Sequence, residues 1–172
     1  MNAVPPFGLA VAVFLAASGP GLLSDDAHLF GYIAETTHLG KADDADLVRR
    51  LNSNSSMDRL HDYSGESILV VKVELLGDDA SSRVRSPEGN YPFFVFRDTG
   101  HGYLLLGQMD GRAYEWSIPN RHLQFRMSTA AAGQKTAAVR YEVNQAYLVN
   151  LTELAQSERR HERFVADLSH AF

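Results

Sequence analysis

From Ile68 to Leu151 the apolar residues recur mostly at every second position, whereas from Asp25 to Ser67 and after Leu151 they recur every three or four. The first period is that of a strand with one buried face, the second that of an amphipathic helix. In SILVVKVELLG, Leu69, Val71, Val73 and Leu75 fall on one side and Lys72 and Glu74 on the other, predicting a half-buried strand. Tyr91 to Phe96 is aromatic and β-branched, with Pro92 suited to a strand start or an edge. Asp98-Thr99-Gly100-His101-Gly102 reads as a turn into a strand at Tyr103 to Leu106. Asp110-Gly111 then carries the signal of a two-residue hairpin leading into Arg112 to Ile118. Pro119-Asn120 turns the chain, and His122 to Met127 alternates with Leu123, Phe125 and Met127 inward. Thr136 to Val143 and Ala146 to Leu151 form a last pair joined at Asn144-Gln145. Short joints between neighbouring strands predict antiparallel pairing.

Upstream, Asp25 and Asp26 precede a run in which Leu29, Phe30, Ile33 and Thr37 lie at helical spacing, with Gly40 as the terminator. A second helix starts at Asp43 or Asp44, and its basic residues Arg49 and Arg50 sit toward the C-terminal end, where the helix dipole favours them. Asn52 to Ser56 reads as a loop, Met57 to Tyr63 as a short helical turn, and Ser64-Gly65-Glu66-Ser67 as the turn introducing the first strand. Thr152 caps a C-terminal helix running to His170, with Leu154, His161, Phe164, Val165, Leu168 and Phe172 near one stripe and the charged SERRHER in its middle.

Together these elements predict an α+β domain: N-terminal helices, an antiparallel meander of about six strands that is rich in hairpins and free to curve like a barrel, and a C-terminal helix covering one face. Phe96-Arg97 followed by Ala113-Tyr114, and Phe125-Arg126 followed by Ala146-Tyr147, hint at an internal duplication, although any antiparallel meander brings such residues into similar phase.

Composition narrows the setting. The 172 residues suffice for a single core, and the formal charge of −5, with Lys+Arg at 16 against Asp+Glu at 21, leaves no basic excess for a nucleic-acid partner. The absence of cysteine excludes disulfides, thiolate metal sites and thiol nucleophiles. Phe7 to Ala17, FGLAVAVFLAA, has the length of a signal-peptide core and is too short to span a bilayer as a helix; Ala16-Ala17-Ser18 supplies small residues for cleavage after Ser18, or as late as Ser24. No Lys or Arg precedes Lys41, so the usual positive n-region is missing. The expectation is a signal segment over 1–18, a single domain over 19–172, no transmembrane anchor, and a periplasmic or secreted location.

No candidate chemistry stands out. Asp98-Thr99-Gly100 is the triplet of the aspartic peptidases, but it is flanked by Arg97 and His101 where those enzymes carry an apolar and a small residue, and no second copy exists. Arg97 would also oppose protonation of the carboxyl group, and Asp and Gly are what a tight turn demands in any case. None of His28, His38, His61, His101, His122, His161 and His170 has a partner at the metalloprotease spacing, and no phosphate loop or nucleophile elbow occurs, so no cofactor or resident metal is implied.

Two surfaces remain. One is a polar sheet face bearing Lys72, Glu74, Gln124, Arg126, Arg140 and Glu142. The other is a loop edge bearing His101, Asp110, Arg112, Asn120, Arg121 and His122, with Trp116 expected in the core because Tyr114 and Ile118 are in phase with it. The function expected is binding of a protein or envelope component, as an inhibitor or accessory factor, without catalysis. The alternatives are a small hydrolase or metal-dependent enzyme built on Asp98, His101 and His122, and a small-ligand carrier inside a curled sheet.

Overall fold

The computed structural model describes residues 21–75, 84–130 and 137–169, the last nine as backbone only. Two helices come first, α1 (Asp26–Thr36) and α2 (Ala45–Asn54). Eight strands follow: β1 (Ser56–His61), β2 (Ser67–Lys72), β3 (Tyr91–Asp98), β4 (Tyr103–Gly111), β5 (Ala113–Ser117), β6 (Gln124–Thr129), β7 (Ala137–Val143) and β8 (Leu148–Asn150). A C-terminal helix, α3 (Leu151–Ser169), completes the described chain. The α+β class holds, with eight strands in place of about six, split into two antiparallel meanders in the orders β1-β2-β3-β4 and β5-β6-β7-β8. The apolar segment 7–17 lies outside the described residues.

The layers follow from what each strand must bury. Residues 68–71 of β2 are all buried: Leu69 and Val71 join a cluster with Leu29, Phe30, Ile33 and Leu51 of the helices, while Ile68 and Val70 join Phe93, Leu123, Phe125 and Met127 between the sheets. β2 is therefore covered on both faces, not half-buried as its alternation implied, and it ends at Lys72. The helices form one layer, sheet β1–β4 the middle and sheet β5–β8 the third. The space that a curled sheet could have kept for a ligand is packed with Val95, Leu106 and Met109.

Local chemistry sets the ends of the elements. Asp25 caps α1 by accepting from the His28 amide at 2.9 Å, and Asp44 caps α2 through Leu47 at 3.1 Å. α1 stops before Gly40. His38 takes the left-handed turn at φ 56°, with its amide on Glu35 O (3.0 Å) and that of Leu39 on Ala34 O (2.9 Å), the pairing of a Schellman close. Asn52 to Asn54 complete α2 instead of forming a loop, and Met57 to His61, expected to be helical, are β1. SMDRLH buries only Leu60, so this edge strand presents too weak an alternation to be recognised from sequence. Ser64 to Glu66 accordingly lie inside the β1–β2 hairpin, where Asp62 Oδ1 accepts from the amides of Ser64 (2.8 Å) and Glu66 (2.9 Å).

Asp110-Gly111 does not make a hairpin. β4 pairs with β3 and β5 with β6, so the chain crosses from one sheet to the other here. Gly111 is required for closeness rather than for a turn: a Cβ would lie 2.7 Å from Ser128 O and collide with Met127. A register shift opposite Val95/Phe96 leaves Leu106 as an extra residue and turns it and Gly107 both toward the second sheet, where Gly107 admits Leu148. The suggested duplication fails in detail, because Ala113-Tyr114 lies within β5 whereas Ala146-Tyr147 lies in the β7–β8 turn.

Asn150, not Thr152, caps α3, accepting from the amides of Thr152 (3.1 Å) and Glu153 (3.0 Å), while Thr152 Oγ1 accepts from the Arg140 amide at 2.9 Å. Up to residue 160 only Leu151, Thr152 and Ala155 of this helix are partly covered, and Leu154 is exposed. Within the described side chains, the covering role expected of it belongs to α1 and α2. Among the described residues no helix is long and apolar enough to cross a membrane.

Candidate functional site

The hairpin turns β1–β2 and β3–β4 lie at one end of the first sheet, and β5–β6 and β7–β8 at one end of the second. Contact between Arg121 and Tyr63 shows that the two ends coincide: the guanidinium of Arg121, from the β5–β6 turn, stacks over the Tyr63 ring of the β1–β2 turn, 4.9 Å from its centroid. Pro119 to His122 form a tight turn closed by the His122 amide on Pro119 O at 3.0 Å, with Asn120 at φ 51° and Arg121 at φ 70°. Both central residues are thus left-handed, the geometry of a type I′ turn, whose positions favour Asn and Gly. Asn120 fits that preference. Arg121 stands where glycine would be unstrained, at a penalty of roughly 1 kcal/mol.

Around this turn the surface is aromatic. Tyr63 is 61% exposed, Trp116 49% and Tyr147, in the β7–β8 turn, 54%. Trp116 is therefore not a core residue. It pairs with the buried Phe125, and its in-phase neighbours Tyr114 and Ile118 both pack against the core between the sheets, Tyr114 donating to Asp58 at 2.6 Å and packing edge-on against Phe93. Burial and the Asp58 carboxylate together raise the Tyr114 pKa well above the ordinary phenol value. Tyr63 and Tyr147 were missed by sequence reasoning; their signal was an aromatic residue inside a turn of otherwise small polar residues, Asp62-Tyr63-Ser64-Gly65 and Asn144-Gln145-Ala146-Tyr147.

The other expected binding residues disperse. His101 is exposed in the β3–β4 turn, at the same end as Tyr63. His122 faces Glu142, with 3.6 Å between Nδ1 and Oε1, and Gln124 donates to the same carboxylate at 2.7 Å. Asp110, in the last residues of β4, and Arg112, just past its end, lie about 25 Å or more from His101 at the rise of an extended strand, so the loop edge is not one site. There Asp110 borders a small cleft of about 290 Å³ with Glu88 and Asn90, and Arg112 donates to Glu88 O at 2.9 Å. Arg126 and Arg140 sit directly opposite one another on the outer face of the second sheet, with Glu115 3.9 Å from Arg126. Of the polar face, Gln124, Arg126, Arg140 and Glu142 are contiguous. Lys72, at the end of β2, pairs at 2.6 Å with Glu74 just beyond it.

Asp98 is committed to structure. Its Oδ1 accepts from the Gly100 amide at 2.9 Å and its Oδ2 is paired with Arg59, and these contacts hold the carboxyl below its usual pKa although partial burial opposes them. Arg59 in turn reaches the Tyr103 hydroxyl at 3.4 Å, which donates to Asp26 at 2.7 Å, so the network ties β1, β3 and β4 to the start of α1. Arg97, adjacent in sequence, instead lies 2.9 Å from Glu66. A carboxylate held ionised in this way is poorly suited to the shared proton of a peptidase dyad. No three His, Asp or Glu residues among those described gather closely enough to hold a metal ion.

Fold and surface together define a three-layer α+β sandwich with an exposed aromatic and arginine cluster at its hairpin end. Comparison with protein-family models, curated proteins and solved structures finds no match to this chain.

Proposed function

We propose that this chain is an exported binding protein without catalytic activity, an inhibitor or accessory factor that engages a protein or envelope component through its hairpin end. The observation that carries this reading is Arg121: a long cationic side chain held at a left-handed backbone position, where glycine would relieve the strain, and stacked on an exposed tyrosine. Trp116 and Tyr147 extend the same end with the side chains that most often anchor protein interfaces. His101 and His122 form its rim, while Arg126 and Arg140 lie on the adjoining sheet face. Export is supported by the apolar segment 7–17 and the small residues that follow it.

The test is capture from an envelope extract using immobilised full chain and its Trp116→Ala and Arg121→Gly variants. A saturable partner is expected, with affinity falling about 30-fold or more in the Trp116 variant, as for a residue at the centre of an interface. Failure to retain any saturable partner, or equal retention by all three chains, would overturn the reading.

A further inference from the structure

We propose that the ligand of the hairpin end is a neutral saccharide chain of the envelope, its sugar rings stacked on Tyr63, Trp116 and Tyr147. This rests on the exported, hairpin-end binding reading above and names the chemistry that the surface fits. The two most exposed large apolar side chains among the described residues, Tyr63 and Tyr147, both stand in turns at this end, and Trp116 lies close to a third. The charged groups around them are engaged within the chain. Arg121 lies over Tyr63, Asp62 closes the β1–β2 turn, Glu66 pairs with Arg97 at 2.9 Å and Asp98 with Arg59, while Glu142 accepts from Gln124 at 2.7 Å and faces His122. What stays free is neutral: the side-chain amides of Asn120 and Gln145, both exposed, have no hydrogen-bond partner among the described residues.

Flat rings facing water beside free amides match a pyranose. Its C–H-bearing face is apolar and is covered by an aromatic ring, and its hydroxyls both donate and accept, as a side-chain amide does. A strongly charged peptide would instead lose water around its charges without finding free counter-charges here. The ring of Tyr63 is positioned in advance by the Arg121 stack, which lowers the ordering cost of binding. The spacing of the rings calls for a chain and not a single sugar. Trp116 on β5 and Tyr147 in the β7–β8 turn are two to three strand spacings apart, about 10–14 Å, a span that several linked sugars cover.

Trp116 is the only tryptophan in the chain, so its emission reports on the site directly. The probe is soluble glycan released from the envelope by exhaustive protease digestion. It is expected to shift the emission to shorter wavelength in a saturable way, and the same glycan after mild periodate oxidation, which cleaves its vicinal diols, is expected to have no effect. Tyr147→Ala should weaken the response about tenfold and Gln145→Ala about threefold, whereas Arg112→Ala, just past the other end of β4, should leave it unchanged. No shift with the digested glycan, or a shift that survives periodate, would overturn the saccharide. Capture from undigested extract separates the two readings. Retention that depends on Trp116 but is destroyed by protease and untouched by periodate keeps the hairpin end as a binding surface and refutes the saccharide, while the absence of any retention dependent on Trp116 refutes both.

Discussion

The two sheets have the same number of strands and the same meander order, yet they behave as different materials. In the first, β2 buries residues 68–71 and β3 residues 92–96 without a break, because helices lie on one side and a sheet on the other. In the second, β6 buries Phe125 and Met127 while Arg126 between them is exposed, because nothing among the described residues covers its outer face. Continuous apolar runs belong to strands covered twice and alternating runs to strands covered once. The consequence is a division of labour. The middle sheet holds the molecule together, and the outer sheet presents its turns and polar face to solvent.

Substitutions in the two sheets should separate these roles most sharply. Phe94→Ala, which removes a ring packed edge-on against Tyr32 and stacked near Phe96, is expected to destabilise the fold by about 3–5 kcal/mol in chemical denaturation. Arg126→Ala on the outer sheet should stay within roughly 0.5 kcal/mol of the parent, and a comparable loss at both positions would end the distinction. Gly111→Ala probes the crossing between the sheets. The new methyl meets Met127 and the Ser128 carbonyl, and a loss of about 1–3 kcal/mol is expected in the same measurement.

Asp98→Asn tests how the middle sheet is tied to α1. Asparagine can still accept from the Gly100 amide but loses its charge opposite Arg59, so a loss of about 1 kcal/mol at neutral pH is expected. Because the folded pKa of Asp98 is lowered, its contribution is present above the unfolded carboxylate value of about 3.9 and is lost as the pH falls below that toward the depressed folded value. The stability difference between parent and variant should therefore shrink on acidification; a difference independent of pH would show that Arg59 and Asp98 are not coupled.

At the hairpin end the expected sign reverses. Arg121→Gly should raise the melting temperature, by the equivalent of about 0.5–1 kcal/mol, since glycine accepts φ 70° without strain; a loss of stability would mean that the stack on Tyr63 outweighs the backbone penalty. The smallest effect concerns the outer face, where Arg140→Glu replaces a like-charge cross-strand pair with an attractive one and should stabilise by a few tenths of a kcal/mol at low salt, fading as salt is added.

Legibility followed the strength of the local signal. The alternation in Leu123 to Met127 located β6, and Asp25 and Asp44 located two helix starts, because capping and period act within a few residues. β1 was unreadable because Leu60 is its only buried residue. Asp110-Gly111 misled because a glycine that permits a tight turn and a glycine that permits close approach of another strand look the same in one dimension. The candidate site was legible in residue type more than in grouping: Arg121 and His122 lie at the aromatic end, whereas Asp110 and Arg112 lie at the far end of β4.

By itself the sequence determined the α+β class, the antiparallel pairing of most strands and the starts of the two N-terminal helices, all of which depend on interactions between residues close in the chain. Only the tertiary structure decided that the strands divide into two sheets at Gly111, that the N-terminal helices cover the first sheet, and that Trp116 reaches solvent. These outcomes depend on which surfaces meet across long separations. The same phase puts Phe125 in the core between the sheets and leaves its cross-strand partner Trp116 outside it, a difference that period alone does not encode.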